Sequence, residues 1–219
     1  MPNPFVLLLR SFQVFVTHPV TIISIALVNV PGLLFRFVHV GVPNVVTLIA
    51  ALALGLAVNG ALIRAAATST GAERTGFIDS YRVALIAYWR LVGFNLRILG
   101  AAFLLGITIV GIPFAVRLVV RWWFGSEAVI IAGTSAKDAI SLSCQIATGR
   151  WWPLASLVLI SLGLSRLPFI PVWLLFDPSQ FAQGLMISMW AFTITPLVTI
   201  FWALMFLDLA DRVTSKDPG

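Results

Sequence analysis

The sequence predicts an all-α, polytopic membrane protein, and three observations carry that prediction. Hydrophobic residues fill 60% of the 219 positions, and the mean hydropathy is +1.03. Only 10% of the residues are Asp, Glu, Lys or Arg, whereas an ordinary soluble domain carries about a quarter. Apolar runs of about 20 residues, the length that crosses a bilayer as a helix, recur from end to end with the charges gathered between them. The length admits about six spans with short connections, so residues 1–219 are read as a single integral membrane domain. The first residues lack both the basic segment and the small-residue cleavage site of a removed signal, so the N-terminus is expected to be retained.

In order along the chain, residues 4–17 predict an amphipathic helix lying in the headgroup plane, with Arg10, Gln13 and Thr17 on one face. His18 and Pro19 open a first span over 19–35, which ends near Pro31, Gly32 and Arg36, and residues 41–44 make a turn. A second span is expected over 45–63. Its small residues Ala51, Ala53, Gly55, Ala57, Ala61 and Ala65 form overlapping small-xxx-small pairs that allow a neighbouring helix close. Residues 65–76 are polar and loop-like. A second amphipathic helix follows over 77–89, with Asp79, Arg82 and Arg90 opposite Phe77, Ile78, Tyr81, Leu85 and Tyr88. A third span over 91–112 ends at Gly111 and Pro113. Residues 114–133 contain Arg117, Arg121 and Glu127, and a charge at the bilayer centre costs about 2.5–3.5 kcal/mol. They are read as a short, kinked span shielded by protein, broken near Gly125 and Ser126, with a re-entrant segment as the alternative. A third amphipathic helix covers 135–148, with capping-box-like spacing of Ser135 and Asp138. Trp151 and Trp152 suit the headgroup belt. Spans over 153–167 and 181–207 and a polar tail from Asp208 complete the chain.

Amphipathic helix, apolar span and Pro-containing break recur with starts near Phe5, Phe77 and Ala136, which suggests an internal repeat. Residue identity between the units is low, and convergent amphipathicity is the rival explanation. With the N-terminus in the cytoplasm, one side holds Arg10, Arg64, Arg74, Arg82, Arg90, Lys137, Arg150, Arg212 and Lys216. The other holds Arg36 and Arg166, with Arg117 nearer to it. That bias agrees with the positive-inside rule and puts both termini and all three amphipathic helices on the cytoplasmic face of a bacterial inner membrane. The net charge of +6 is therefore assigned to anionic lipid headgroups. Nucleic acid is not an expected partner, since no aromatic-basic platform for single strands is visible.

The stretch with Trp122, Trp123, Phe124 and Glu127, then Ala136, Lys137, Asp138 and Ser141, then Thr148, Gly149, Arg150, Trp151 and Trp152 resembles a known family. It is similar to the bacterial membrane domain associated with glycerophosphoryl diester phosphodiesterases and to its stand-alone relatives. The run from Gly60 to Arg64, followed by Phe77, Asp79, Tyr81 and Arg82, resembles the preceding part of the same pattern. The resemblance covers roughly residues 55–165 and its motifs are short. It implies a six-helix fold with interfacial helices and, without the catalytic domain, no hydrolysis.

Chemistry-bearing constellations are sparse. The single cysteine, Cys144, excludes an intrachain disulfide and a thiolate-cluster metal site. His18 and His39 flank opposite ends of the first span and cannot form an i, i+4 metal pair. No glycine pattern forms a phosphate loop, and no serine stands in sequence relation to a base. The expectation is no enzyme, no metal and no cofactor. The intramembrane polar and anion-binding candidates are Asn59, Asn95, Arg97, Arg117, Arg121 and Glu127. Arg117 and Arg121, at i, i+4, repel each other unless an anion or carboxylate lies near. They are read either as a basic cavity for a lipid phosphate with Glu127 as counter-charge, or as a structural ion pair of Glu127 with Arg97 and Arg121. Asn59 is expected to hydrogen-bond across a helix interface, and Asp208 to be an interfacial charge. The expected function is non-enzymatic: organising the membrane or supporting a complex, through anionic lipid, partner proteins or a second copy of the chain. The alternative is a small transporter or channel for an anionic or lipid-like substrate.

Overall fold

The computed structural model describes residues 2–27, 45–69, 76–166 and 180–214, and every element among them is a helix. Helix α1 (Pro4–Thr17) has the extent the periodicity predicts, with Asn3 Oδ1 accepting from the Phe5 N–H at 3.0 Å and Pro4 in the first turn, where its missing N–H costs nothing. The chain then turns by 86° at His18 into α2 (Pro19–Leu27). Pro19 cannot continue the ladder of α1, which accounts for the corner. The rest of the predicted first span, with Pro31, Arg36 and His39, lies outside the described residues.

Helix α3 (Val45–Ser69) is the axis of the bundle and packs against α2 and four later helices. It runs past the expected stop at Arg64. Residues 65–69, expected as loop, are helical because Ala65 and Ala66 are buried and Thr68 and Ser69 satisfy their hydroxyls on carbonyls of the preceding turn. Of the small residues, Ala57, Ala61 and Ala65 are buried, whereas Ala53 and Gly55 are half-exposed. The closest approach falls at Gly60, where a Cβ would lie 3.1–3.3 Å from Leu91, Ala84 and Ile130 of three other segments.

Helix α4 (Phe77–Ile86) breaks at Ala87 and α5 (Tyr88–Gly106) begins at once, so the third apolar helix starts and stops a few residues earlier than expected. The Tyr81 hydroxyl donates to the Ile25 carbonyl at 2.8 Å and ties α4 to α2. Burial pushes that hydroxyl up to about 12. Tyr81→Phe is expected to lower stability in detergent by about 1 kcal/mol. Because the folded state holds the proton more tightly, this contribution is complete below pH 10 and is lost as pH rises towards 12. Thermal melts of the two proteins should therefore converge in strong alkali.

A tight turn leads to α6 (Gly111–Arg121), which packs back against α5. Pro113 sits in its first turn instead of ending the preceding span, since a first-turn residue needs no N–H partner. After a break at Trp122–Phe124 comes α7 (Gly125–Ile131), whose end is closed by Gly133 at φ +64° and by Thr134 Oγ1 donating to the Ala128 carbonyl. Helix α8 (Ala136–Ala147) has the predicted cap: Ser135 Oγ accepts from the Asp138 N–H at 3.3 Å and donates to its carboxylate at 2.6 Å. Gly149, at φ +73°, ends it. Helices α9 (Trp151–Arg166) and α10 (Gln180–Thr214) follow. The seven residues from Asp208 to Thr214, expected as polar tail, continue α10, with Leu209 buried and Asp208 paired with Arg212 at 2.9 Å.

Among the described residues, three helices are long and apolar enough to cross a membrane, in the windows Leu52–Ser69, Tyr88–Gly106 and Thr193–Val213, and there are four if α1 and α2 count together as one bent span. Along the α5–α6 hairpin, Leu99, Phe103, Leu104, Ile109, Val110 and Phe114 are 58–87% exposed. Water would not tolerate so continuous an apolar band, and hydrocarbon is its natural solvent. The protein is a membrane protein.

Candidate functional site

Glu127 is the feature around which a site assembles. Helix α7 is only two turns long, yet Gly125, Glu127, Ala128, Val129 and Ile130 are all buried, because it is pressed between α3, α5, α8 and α10. The break before it turns Glu127 inward. At Trp122–Phe124 the helical ladder fails, and the Arg121 carbonyl and the Phe124 N–H lose their ordinary partners. Ser143 of α8 takes both: its Oγ donates to the Arg121 carbonyl at 2.8 Å and accepts from the Phe124 N–H at 3.1 Å. Gly125 then lets α7 lie against the ring of Phe94, which leaves no room for a Cβ at that position.

Glu127 lines a cavity of about 320 Å³ whose wall brings together Asn59 of α3, Asn95 of α5, Val119 of α6, Ser126 and Thr199 of α10. The Thr199 hydroxyl reaches Asn59 Oδ1 at 3.5 Å, and Asn95 Nδ2 donates to the Leu91 carbonyl at 2.9 Å. The remaining wall is apolar: Ile98 and Val198 with the rings of Phe94, Trp123 and Trp202, the two indoles 5.4 Å apart between centroids and inclined at 61°. Glu127 is 6% exposed, and its Oε2 has no hydrogen-bond partner. The Trp202 indole N–H is likewise buried without one.

Three of the six sequence candidates, Asn59, Asn95 and Glu127, thus meet in one cavity, and the three arginines do not join them. Arg97, Arg117 and Arg121 are exposed. Arg97 Nη1 leans one turn back to the Gly93 carbonyl at 3.4 Å, the direction in which a helical side chain near a span's start reaches towards the interface. The structural ion pair of Glu127 with Arg97 and Arg121 is not formed. Ser143, Thr199 and Trp202 belong to the site or its support and were not among the sequence candidates. Only the inward pairing of α8 with the Trp122–Phe124 break reveals the first of them. The other two sit on a helix that is apolar on all sides and shows no periodicity to single them out.

Models of known protein families, curated proteins and solved structures yield no match to this chain. The site must be read from its own geometry.

A second hollow, of about 420 Å³, lies between α1, which packs on α10, and the last residue of α3. Arg10, Gln13, Thr17 and His18 face Ser69, with Leu204 of α10 as its apolar side. Its polar residues are exposed or half-exposed, and Thr17 and Ser69 each satisfy a carbonyl of their own helix. No group of three metal-ligating side chains occurs among the described residues.

Proposed function

We propose that this chain is a non-enzymatic, multi-pass protein of a bacterial inner membrane that organises the bilayer or supports a complex by holding anionic lipid against a cytoplasmic platform. The observation that supports this reading is that the cation-bearing helices meet the bundle near helix ends: α1 beside the last residue of α3, and the start of α5 beside the cap of α8. The Arg10 and His18 hollow abuts the last residue of α3. Helix α4 follows that end, and Arg90, at the start of α5, donates to the Gly133 carbonyl beside the cap of α8 at 2.6 Å. Arg10, Arg82, Arg90 and Lys137, on or beside these amphipathic helices, are exposed. Helix pairs α1–α2, α4–α5 and α8–α9 each run from an amphipathic helix through a short break into an apolar one. On this reading they are three repeat units, each completed by a second crossing (α3, the broken α6–α7 segment, α10), which makes six spans with both termini in the cytoplasm. Kinship with the membrane domain associated with glycerophosphoryl diester phosphodiesterases belongs to the same proposal.

Near an anionic surface each cation contributes about 1 kcal/mol. The full chain in detergent should therefore melt higher on addition of phosphatidylglycerol than of phosphatidylcholine. Replacing Arg10, Arg82, Arg90 and Lys137 together with Gln should erase most of that difference. Equal stabilisation of both proteins by both lipids would defeat the platform reading.

The cavity at Glu127 favours a second reading, a small transporter or channel for a lipid-like substrate, because a buried acidic group among spanning helices usually marks a pathway. Flux across proteoliposomes that depends on Glu127 would support it. Tight vesicles with and without Glu127→Gln would leave the platform reading alone.

A further inference from the structure

We propose that the Glu127 cavity binds an alkylammonium group. The site is distinct from the Arg10 hollow, and the proposal stands whether or not the bound group is carried across the membrane. Four observations lead to it.

The first is the sign of the field. Among the described residues, Glu127 is the one ionisable side chain in the cavity wall, and Arg97, Arg117 and Arg121 are exposed outside it. The second is an unmet acceptor. Asn95 spends an amide hydrogen on the Leu91 carbonyl and Thr199 spends its hydroxyl hydrogen on Asn59, so each keeps an acceptor oxygen, while the buried Trp202 indole N–H is a donor still without a partner. Glu127 Oε2, buried and unpartnered, is an acceptor without a donor, an arrangement that is costly unless a ligand supplies one. The third is the aromatic wall. The two indoles, packed edge to face at 61°, and the ring of Phe94 lie in the wall, and an aromatic face attracts a cation within about 6 Å of its centroid. An anion would meet repulsion from the carboxylate and from these faces together. The fourth is size. A volume of about 320 Å³ matches that of about ten waters, which suits an ammonium with a short alkyl stem and part of its hydration shell.

An ammonium group meets the field, the unpartnered carboxylate and the aromatic surface. Its N–H donors pair Glu127 and the amide oxygen, and its charge and alkyl carbons lie against the indoles. The same chemistry is present in a soluble alkylamine and in the ethanolamine headgroup of a phospholipid, so the test must separate the two.

The full chain is reconstituted in vesicles of phosphatidylglycerol alone, and Glu127 is labelled with a hydrophobic carbodiimide, its modification followed by mass spectrometry of the peptide that contains it. Ethylammonium chloride should slow labelling at least fivefold relative to sodium chloride of equal ionic strength. In vesicles half phosphatidylethanolamine, slowing without added amine assigns the site to the lipid headgroup, and slowing only by ethylammonium assigns it to a soluble cation. Trp123→Leu should raise the ethylammonium concentration for half-protection about tenfold, with folding checked by its melting temperature. Asn59→Leu, which removes an amide while leaving Glu127 to be labelled, provides a second variant if Trp123→Leu fails to fold. Labelling that is unchanged by the amine and by the lipid, or protection undiminished in the folded variant, would overturn the proposal. Protection without any flux would retain this site and remove the transporter reading.

Discussion

Gly125→Ala should unfold this protein in mild detergent or cost it about 3 kcal/mol or more, although alanine is the better helix former by about 1 kcal/mol. The reason lies across the bundle. A Cβ at position 125 would lie 2.0 Å from two ring carbons of Phe94, which is 2% exposed and held between α5 and α7. Overpacking a close-packed interior typically costs about 1–3 kcal/mol through displaced neighbours, and here the neighbour is a rigid ring and not the end of a flexible chain. Gly100→Ala is the matched control. Its Cβ would meet nothing within 4 Å, so helix propensity alone should decide and stability should hold or rise slightly. Thermal unfolding of the two variants should differ in sign. Combining Gly125→Ala with Phe94→Leu should recover much of the loss, which a double-mutant cycle would report as a favourable coupling. An additive pair would show that the ring is not what excludes the methyl group.

The helices were legible in the sequence where a local signal sets them. The 4–17 amphipathic helix has the predicted bounds because Asn3 and Pro4 start it and the His18–Pro19 corner stops it. The cap at Ser135 is a three-residue pattern, and the structure closes it with two hydrogen bonds. What the sequence concealed depends on partners distant in the chain. The polar look of Ala65–Ser69 suggested a loop, yet burial of Ala65 and Ala66 keeps it helical. Asp208 and Asp211 suggested the end of a helix, but neither carries a helix-breaking feature, and α10 runs on to Thr214.

The site divides along the same line. A carboxylate and two carboxamides in apolar runs stand out in any reading, and Asn59, Asn95 and Glu127 do meet. Grouping them with Arg97, Arg117 and Arg121 assumed that opposite charges in one hydrophobic stretch find each other. Charge attraction competes with the reach of the arginine side chain, whose guanidinium gains more from the interface than from a cavity it must be dehydrated to enter. Which face of each helix turns inward is decided by packing. At α7 it is decided by the break and its clasp, and no pattern within 114–133 encodes a contact with residue 143.

That clasp carries the second large effect. Ser143→Ala removes one hydroxyl and strands two backbone groups at once, the part-buried Arg121 carbonyl and the buried Phe124 N–H. The buried N–H costs about 1–3 kcal/mol when unsatisfied and the part-buried carbonyl less, so the variant should lose about 1–4 kcal/mol, more than a surface serine would. Ser11→Ala tests whether the number of stranded groups is what matters. Ser11 is as fully buried, but its hydroxyl donates only to the Leu7 carbonyl one turn back, within an intact helix. Little should follow from its removal. A serine to threonine change at 143 keeps the hydroxyl and should recover part of the stability, less whatever the added methyl costs in a site with no exposed surface. The consequence extends to function, because the clasp sets the angle at which α7 presents Glu127. In Ser143→Ala that remains folded at low temperature, carbodiimide labelling of Glu127 should lose its protection by ethylammonium while the melting difference between phosphatidylglycerol and phosphatidylcholine persists. If both responses vanished together, the clasp would be holding up the whole bundle and not the cavity alone. If neither changed, the break between α6 and α7 would be set by Gly125 and Phe94 without help from α8.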